Sequence, residues 1–393
     1  MEQEAPGENP SVPPSCTAGK VAFSVFKYFP YGGLQLDLMR MALEFRDRGI
    51  GVVIFCMIWD APPPPDGIEF RELEVKAMTN HGKARKFERM LAKELAKEHF
   101  LTHVAFNRLV PADWYFAADM PFVESVPRSF IEKLLPRYRT FAAMERSVFT
   151  PKNPTRILCI TRAQQAAFQR LYGTPDARMH QLPPGINAEY ASALKYREDR
   201  DEIRGEFGVG EDDILLIQVS SAFRTKGVDR SIAALAALPE TVRERTKLLV
   251  VCRGKIPPYA ALARRCGVAD RVIFAGARDD VPKLLAAADL MIHPARNEAT
   301  GTVLLESLAC GTPVLCSGIC GFSPLVKEAG NPVLPEKFQQ KLLSRTLMLI
   351  LSAPGRLEEL QREAENYGAN ADFYRRAQVA VDLILESCRH DRA

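Results

Sequence analysis

The chain has 393 residues, of which 25% are charged and 47% hydrophobic. This composition is typical of globular proteins, and the length predicts two domains of ordinary size. The formal net charge of +4 identifies no partner by itself, and no apolar run reaches the ~18 residues that span a bilayer.

The N-terminal residues and the cysteines indicate the cellular compartment. Residues 1–18 are rich in proline and acidic side chains and lack the basic start and apolar core of a signal peptide, so they are predicted to be a disordered tail. The nine cysteines are an odd number and several lie in apolar runs, which predicts reduced thiols in a cytoplasmic protein. Cys310, Cys316 and Cys320 cluster without a second Cys/His pair at zinc spacing, so no metal site is predicted.

Apolar runs of strand length alternate with helical patterns in the first half of the chain. The run Val21–Phe26 is followed by a loop and then by apolar residues at helical spacing from Leu34 to Phe45, with Gly49 ending the helix. Further strands are predicted at Val52–Met57, Thr102–Phe106, Trp114–Ala117 and Arg156–Thr161. This alternation predicts an α/β fold with a mostly parallel sheet.

The pattern breaks at Leu182–Gly185, and a charged stretch, Lys195–Glu206, precedes a second strand–helix series. Its predicted strands are Ile214–Val219, Lys247–Val251, Arg271–Ala275, Leu290–His293 and Pro313–Cys316. We therefore predict two Rossmann-like, doubly wound domains, 19–185 and 186–371, that face a central cleft. A C-terminal helix at about 372–393 is expected to pack back on the first domain. Ligands of such sheets bind beyond the carboxyl ends of the strands, so the loops there are the candidate sites.

The strongest candidate site follows the strand Leu290–His293. A loop carrying Glu298 leads through Gly301 to a helix that begins at about Thr302, with Glu306 one turn in. The free N–H groups of that first turn suit a diphosphate. Glu298 can accept hydrogen bonds from sugar hydroxyls, and Glu306 can accept them from a ribose. Taken singly, a carboxylate that complements the helix dipole and a solvated helix face remain open as alternatives.

A basic loop follows the strand Ile214–Val219. Arg224 and Lys226 can bind a pyrophosphate and stabilise the charge of a departing nucleoside diphosphate. Gly227 then leads into a helix. An ordinary basic loop is the alternative interpretation.

A glycine pair follows the first strand. Gly32 and Gly33 stand at a predicted helix start, which suits the approach of a phosphate, and Asp37 lies in the first turn. Asp37 could bind an acceptor hydroxyl or simply complement the helix dipole. The Asp199-Arg200-Asp201 sequence resembles a metal-binding motif, but it lies in the charged stretch, where a solvated helix face is favoured.

The segment Ser129–Phe149 combines aromatic and basic residues. Such a helical stretch can lie on an anionic membrane surface, or it can pack in the core with a solvated basic face, and both interpretations stay open. No single-strand RNA-binding motif is present, so nucleic acid is not an expected partner.

Together these patterns resemble the family-four retaining glycosyltransferases of GT-B fold, and the first domain is most similar to lipopolysaccharide core glucosyltransferases. The stretches that carry the resemblance are Tyr28–Asp37, Thr79–Gly82, Asp113–Asp119, Arg137–Arg139, Leu182–Ile186, Lys226–Ser231 and His293–Glu306.

The resemblance implies a bacterial enzyme that transfers glucose from UDP-glucose to a heptose of the lipopolysaccharide inner core. It further implies an α-linkage, a front-face mechanism, no essential metal and no cofactor. The first domain would be the acceptor side and the second would bind the nucleotide sugar. The enzyme would lie in the cytoplasm, peripheral to the inner membrane, with residues 129–149 on its anionic surface.

The resemblance also assigns site residues. The catalytic candidates are Glu298, Lys226 and Asp37. The donor-binding candidates are Gly32, Gly33, Arg224, Lys226, Arg278 beside the uracil, Glu298, Ala299, Thr300, Gly301, Thr302 and Glu306. The acceptor-side candidates are Asp37, Asn107 and Arg108.

One departure and two alternative functions accompany this assignment. Family members often carry Arg immediately before the lysine of the basic loop, where this chain has Thr225, with Arg224 one residue earlier. Transfer of another UDP sugar to a related bacterial glycan is one alternative. A non-catalytic nucleotide-sugar-binding scaffold at the membrane is the other.

Overall fold

The structure is a computed structural model that describes residues 19–30, 32–125, 129–220, 222–252 and 254–390. The chain divides into two compact units. Unit 1 contains the described residues up to Pro183 and from Arg375 onward, and unit 2 contains Pro184–Tyr374. The tail predicted at residues 1–18 lies outside the described residues.

Unit 1 is built on a parallel sheet of seven described strands, in the order β3-β2-β1-β4-β5-β6-β7. The strands are β1 Lys20–Tyr28, β2 Gly51–Trp59, β3 Ile68–Glu72, β4 His103–Ala105, β5 Trp114–Ala117, β6 Arg156–Cys159 and β7 Met179–Gln181. The helices are α1 Gly33–Asp47, α2 Asn80–Leu95, α3 Phe122–Ser125, α4 Phe130–Leu134, α5 Pro136–Phe149 and α6 Arg162–Tyr172.

Unit 2 repeats this plan with six described strands, in the order β10-β9-β8-β11-β12-β13 and again all parallel. The strands are β8 Ile214–Ser220, β9 Thr246–Cys252, β10 Val272–Gly276, β11 Leu290–His293, β12 Val314–Ser317 and β13 Val333–Leu334. The helices are α7 Arg200–Gly205, α8 Phe223–Lys226, α9 Val228–Ala236, α10 Glu240–Arg243, α11 Pro257–Arg265, α12 Val281–Ala287, α13 Thr302–Ala309, α14 Ser323–Glu328, α15 Gln340–Ser352 and α16 Arg356–Asn370.

The last helix, α17 (Arg376–His390), belongs to unit 1 and packs against α1. Arg376 near its start pairs with Asp37 at 3.1 Å, and Asp382 pairs with Arg48 at 2.5 Å. Two ion pairs and an apolar face that includes Ile384 therefore join the C-terminal residues to the first helix of the unit.

Hydrophobic burial accounts for the sheets. Strands of a parallel sheet are covered on both faces, so they read as continuous apolar runs. Val21–Phe23 of β1 and Leu215–Ile217 of β8 are almost completely buried. The prediction of an α/β chain with two parallel Rossmann-like sheets is confirmed. Within the described residues, no helix is both long and apolar enough to cross a bilayer.

A buried histidine lies at the start of β4. His103 Nε2 is 2.8 Å from the Ser24 hydroxyl, and its Nδ1 is 3.1 Å from the Pro111 carbonyl. Burial lowers the pKa of His103 from 6.5 to about 4, despite the opposing charge of Asp113. The imidazole is therefore neutral in the folded protein at pH values at which it would be charged in the unfolded chain.

This difference predicts a loss of stability in mild acid. Between pH 6.5 and 4 only the unfolded chain takes up the proton, so stability falls as the pH decreases. From pH 7 to 5 the wild-type protein should lose about 2 kcal/mol more unfolding free energy than His103→Gln. Both tryptophans, Trp59 and Trp114, lie in unit 1, so their fluorescence during urea unfolding measures that unit. Equal losses in the two proteins would contradict this role of His103.

Candidate functional site

The loop between β11 and α13 forms a helix N-terminus open to an anion. Gly301 has a φ of 82°, a left-handed conformation that residues with a β-carbon adopt only at a cost, and α13 begins at the next residue. The N-cap residue, Gly301, has no side chain that could cap the helix, and the first N–H groups of any helix have no partner within it. The Phe322 amide donates to the Thr300 carbonyl at 2.8 Å and helps to fix the conformation of the loop.

Glu298 lies in this loop and meets two basic side chains at one oxygen. Lys226 Nζ is 2.5 Å from Glu298 Oε2, and His293 Nε2 is 3.2 Å from the same atom. The side chain of Glu298 is only 12% exposed. Burial alone would raise the pKa of Glu298, but the His293 hydrogen bond and the Lys226 charge outweigh burial and lower it. The carboxylate is therefore ionised and oriented at neutral pH.

The basic loop reaches Glu298 because it packs directly on the β11–α13 loop. It consists of α8 and Gly227, whose φ is 75°. A β-carbon at Gly227 would lie 2.2 Å from the Pro294 carbonyl oxygen, so only glycine permits this approach. Arg230 Nη1 donates to the Pro294 carbonyl at 3.0 Å.

Arg296 joins the same two loops. Its guanidinium binds both carboxylate oxygens of Asp229, at 2.7 and 2.6 Å, and also donates to the Arg224 carbonyl at 2.9 Å. The Arg296 amide donates to the Thr225 carbonyl at 2.8 Å. The backbone directly before Lys226 is thus held by the loop that carries Glu298.

Gln218 supports Lys226 from within the sheet, a role that sequence reasoning missed. It is fully buried in β8, its amide nitrogen donates to the Lys226 carbonyl at 2.7 Å, and Ser231 donates to its oxygen at 2.7 Å. A glutamine in an otherwise apolar strand was the available signal, because buried polar side chains normally have a specific partner.

Arg224 and Thr225 differ from Lys226 in their surroundings. Both are exposed, and the Arg224 guanidinium makes no ion pair or hydrogen bond with the described residues. Thr225, where the resemblance leads us to expect Arg, thus contributes its backbone carbonyl to Arg296, and Arg224 is available to a ligand one residue earlier.

Arg278 follows β10 at the edge of the sheet, apart from the Lys226–Glu298 pair. It binds Asp280 through two hydrogen bonds, at 2.8 and 2.6 Å, and Glu206 at 3.2 Å. The hydrogen bond to Asp280 is the main cause of a raised pKa of Arg278. Its guanidinium also lies 5.7 Å from the Phe207 ring centroid.

Glu306 lies one turn into α13, and its charge acts on a buried tyrosine. Burial, followed by the charge of Glu306, raises the pKa of Tyr190, which is only 5% exposed. Tyr190 lies in a 3₁₀ segment, Ala188–Arg197, that packs against α13. The phenol of Tyr190 therefore stays neutral beside the carboxylate.

The glycine pair of unit 1 stands at the start of α1. A β-carbon at Gly32 would lie 2.1 Å from Gln35 Oε1, whereas one at Gly33 would meet nothing within 4 Å. Gln35 donates to the Lys27 carbonyl at 3.0 Å and holds the loop close to the end of β1. A larger residue at Gly32 would therefore force Gln35 and Phe29 to shift, whereas Gly33 leaves open space beside the helix start.

Asp37 is buried in α1 and paired within unit 1. Besides Arg376, it accepts from Arg40 at 3.3 Å. Burial lowers the pKa of Arg376 even though the Asp37 charge opposes this effect. The Asp37 carboxylate is therefore paired with two arginines rather than isolated, which the sequence did not indicate.

Asn107 and Arg108 follow β4 and are fixed by the protein itself. The Asn107 side chain accepts from the Phe26 amide at 2.6 Å. Arg108 pairs at 2.9 Å with Glu145, a fully buried carboxylate that also accepts from the Phe122 amide and the Tyr172 hydroxyl. Glu145 thereby anchors α5 to the start of α3.

The basic, aromatic segment at 129–149 divides into two parts. Met144, Val148 and Phe149 of α5 are buried in the core of unit 1. In α4 and directly after it, four large apolar residues are between 52% and 77% exposed: Phe130, Ile131, Leu134 and Leu135. The end of α5 thus packs in the core, whereas α4 presents an exposed apolar surface.

The Asp199-Arg200-Asp201 sequence lies at the start of α7, where Arg200 pairs with Asp289 at 2.5 Å. In the described part of the chain, no group of three His, Cys, Asp or Glu side chains is placed so that it could hold a metal ion.

The two units match two sequence families of sugar-transferring enzymes. Residues 31–190 match the family described as Glycosyltransferase Family 4, and residues 199–371 match Glycosyl transferases group 1. The Lys226–Glu298 pair and the N-terminus of α13 lie in the second match.

Similarity to individual proteins defines the kind of sugar-transferring enzyme more closely. The lipopolysaccharide glucosyltransferase WaaG of Escherichia coli K12 is 39% identical over 368 residues, covering 93% of this chain and 98% of WaaG. A crystal structure of WaaG superimposes with a TM-score of 0.84 at 38% identity, covering 93% and 99% of the two chains. Anabaena HepE in complex with UDP and glucose shares the fold, with a TM-score of 0.70 at 18% identity and coverage of 95% and 100%.

The chain therefore belongs to the glycosyltransferase family of WaaG and has the GT-B fold class. The predictions of a glycosyltransferase and of a relationship to lipopolysaccharide core glucosyltransferases are confirmed. The roles of individual residues remain predictions.

The contact between Gly227 and Pro294 predicts a selective loss of donor binding. In Gly227→Ala the new methyl group collides with the Pro294 carbonyl, which displaces Lys226 from Glu298. We expect the affinity for UDP-glucose, measured by calorimetry, to fall by at least about 10-fold.

Gly267→Ala is the matched control. Gly267 has a φ of 70°, similar backbone strain and open space around its β-carbon position. It should cost stability alone, about 1 kcal/mol, and leave the affinity unchanged. Equal affinities in the two variants would exclude the loop contact as a determinant of donor binding.

Proposed function

We propose that this enzyme transfers glucose from UDP-glucose to a heptose of the lipopolysaccharide inner core, with an α-linkage and retention at the anomeric carbon. The observation that carries the proposal is the Lys226–Glu298 pair beside the open N-terminus of α13. A cationic side chain that can bind the diphosphate and a carboxylate that can bind the sugar lie together there. The 39% identity to a lipopolysaccharide glucosyltransferase over nearly the whole chain supports the donor and the acceptor.

The donor would lie along the carboxyl edge of the sheet of unit 2. Lys226, Arg224 and the start of α13 near Thr302 would bind the diphosphate, because they combine positive charge with free donors. The backbone from Ala299 to Thr302 would, with Glu298, hold the sugar. Glu306 would accept from the ribose hydroxyls, and Arg278, at the end of β10, would lie beside the uracil. Glu298 Oε1 makes no hydrogen bond with the described residues and would accept from a sugar hydroxyl.

The roles of the candidate residues in unit 1 are proposed from the resemblance to the family. Gly32 and Gly33 would allow the diphosphate to approach the backbone, and the open space at Gly33 supports this role. Asp37, with its charge balanced by Arg376, would face the transferred sugar or the acceptor. Asn107 and Arg108 would support the acceptor side.

The reaction would proceed on one face of the sugar. The acceptor oxygen forms a bond to the anomeric carbon as the bond from that carbon to the β-phosphate oxygen breaks. The acceptor proton passes to the departing β-phosphate, so no separate base is required. Lys226, Arg224 and the N-terminus of α13 stabilise the charge on UDP, and Glu298 orients the sugar and favours its developing positive charge. These groups supply the compensating charge without a metal.

Removing the Glu298 carboxylate, which is proposed to hold the sugar, should abolish most of the activity. We expect Glu298→Ala to reduce turnover by about 100-fold, since a misplaced sugar loses its reactive geometry. The matched control is Glu358→Ala, on the exposed surface of α16. Transfer is measured with purified core oligosaccharide and a panel of UDP sugars, with the product linkage determined by NMR. Turnover like that of the wild type in Glu298→Ala would contradict the assignment.

The same assay separates the alternatives. A preference for UDP-galactose or UDP-N-acetylglucosamine would show that the donor is another sugar. A nucleotide-sugar-binding scaffold would bind the donor but neither transfer nor hydrolyse it.

We further propose that the enzyme docks on the anionic cytoplasmic face of the inner membrane through residues 129–149. The exposed apolar group of α4 is flanked by Lys133, Arg137 and Arg139, which are also exposed. Apolar side chains can enter the interfacial layer while the basic residues bind anionic headgroups.

Vesicle binding tests this proposal. Retention on phosphatidylglycerol vesicles should exceed that on phosphatidylcholine vesicles and should decrease with salt. The double variant Phe130→Ser/Leu134→Ser should lose retention, whereas Leu349→Ser, which removes an equally exposed leucine from unit 2, should not. Equal retention on neutral vesicles at high salt would contradict it.

A further inference from the structure

The side chain of His293 contacts the carboxylate of Glu298, which is proposed to hold the sugar. His293 is the last residue of β11, where it pairs with Cys316 of β12, and its side chain is fully buried. Because a central strand fixes its backbone, the imidazole is a rigid support. Its Nε2 is 3.2 Å from Glu298 Oε2.

The histidine and the lysine share that oxygen. Lys226 Nζ also contacts Oε2, at 2.5 Å, and Glu298 Oε1 accepts nothing from the described residues. Because an ionised carboxylate only accepts hydrogen bonds, the shared proton must be on Nε2. The carboxylate is therefore held through one oxygen and presents the other.

The second ring nitrogen shows that the imidazole does not serve core packing. His293 Nδ1 is buried and has no hydrogen-bond partner in the described residues. A buried polar atom without a partner is unfavourable, so an apolar side chain would fill this position more favourably. The contact of Nε2 with Glu298 is the gain that the imidazole provides.

Lys226 has a second task. If it binds the diphosphate, as the proposed function requires, it divides its three N–H donors between the diphosphate and Glu298. The lysine alone would then hold the carboxylate less firmly at the moment when the sugar arrives. His293 cannot follow the diphosphate, because it is fixed in the sheet.

We propose that His293 is a positioning residue for the donor sugar, which holds Glu298 through Oε2 while Lys226 engages the diphosphate. This inference rests on the proposed function of Glu298 and Lys226. It adds a residue that acts on the sugar only through Glu298 and has no part in binding UDP.

Three substitutions separate this role from a structural one. Gln places its amide nitrogen near the position of Nε2, Asn places one near Nδ1, and Leu has no donor. Dissociation constants for UDP and for UDP-glucose are measured by calorimetry for each variant and for the wild type. Their ratio isolates the contribution of the sugar.

We expect His293→Leu and His293→Asn to weaken UDP-glucose binding relative to UDP by about 10-fold, with the affinity for UDP unchanged. His293→Gln should restore the wild-type ratio. His103→Gln, a buried histidine variant in unit 1, is the control for general destabilisation and should leave the ratio unchanged.

An unchanged ratio in all three variants, or an equal loss of UDP and UDP-glucose affinity, would overturn the inference. If the donor panel shows that the wild type uses another UDP sugar, the donor identity in the proposed function fails. The same ratio measured with that sugar still tests His293.

Discussion

The candidate site depends on one buried contact, between Lys226 Nζ and Glu298 Oε2. The two side chains are 15% and 12% exposed, so each has given up most of its hydration. A charge removed from water is costly unless an opposite charge and hydrogen bonds compensate for it. The neighbouring residues serve this geometry: Gly227 permits the close approach, Arg296 ties the two loops together, and Gln218 holds the lysine backbone.

The topology of the sheet explains why these two loops meet. β8 and β11 are adjacent and parallel, so their carboxyl ends emerge side by side. Residues separated by 72 positions in the chain are thereby placed in contact. The central position of β11 also allows His293 to support Glu298 from a fixed backbone. Unit 1 has the same plan of strands but a different polar arrangement, with Asp37 held by Arg376 and Arg108 held by Glu145.

Much of the fold could be predicted because its signal is local. Every predicted strand is present, with ends displaced by at most two residues. The strands that were not predicted are β3, β7 and β13. β3 is an edge strand with Glu69, Arg71 and Glu72 among its five residues, while β7 and β13 have only three and two residues. Short or charged edge strands form because a neighbouring strand is available, and their own sequences carry no long apolar run.

The site could be predicted only in part, for a related reason. Glycine, acid and base at the ends of strands indicated Glu298, Lys226 and Gly301 as candidates. The partners of these residues depend on the packing of loops from different strands, which local spacing does not encode. The roles of His293 and Arg296 were missed for this reason. So was the pairing of Asp37 with Arg376, a residue 339 positions away in the sequence.

The central claim is that Lys226 and Glu298 act as one unit in binding the donor. A double-mutant cycle with Lys226→Ala, Glu298→Ala and the double variant, with UDP-glucose affinity measured by calorimetry, tests it most directly. Each single variant leaves the other charge buried without its partner, so the double variant should lose little more affinity than either single one. Losses that add, to within about 0.5 kcal/mol, would show that the two residues act independently and would contradict the account.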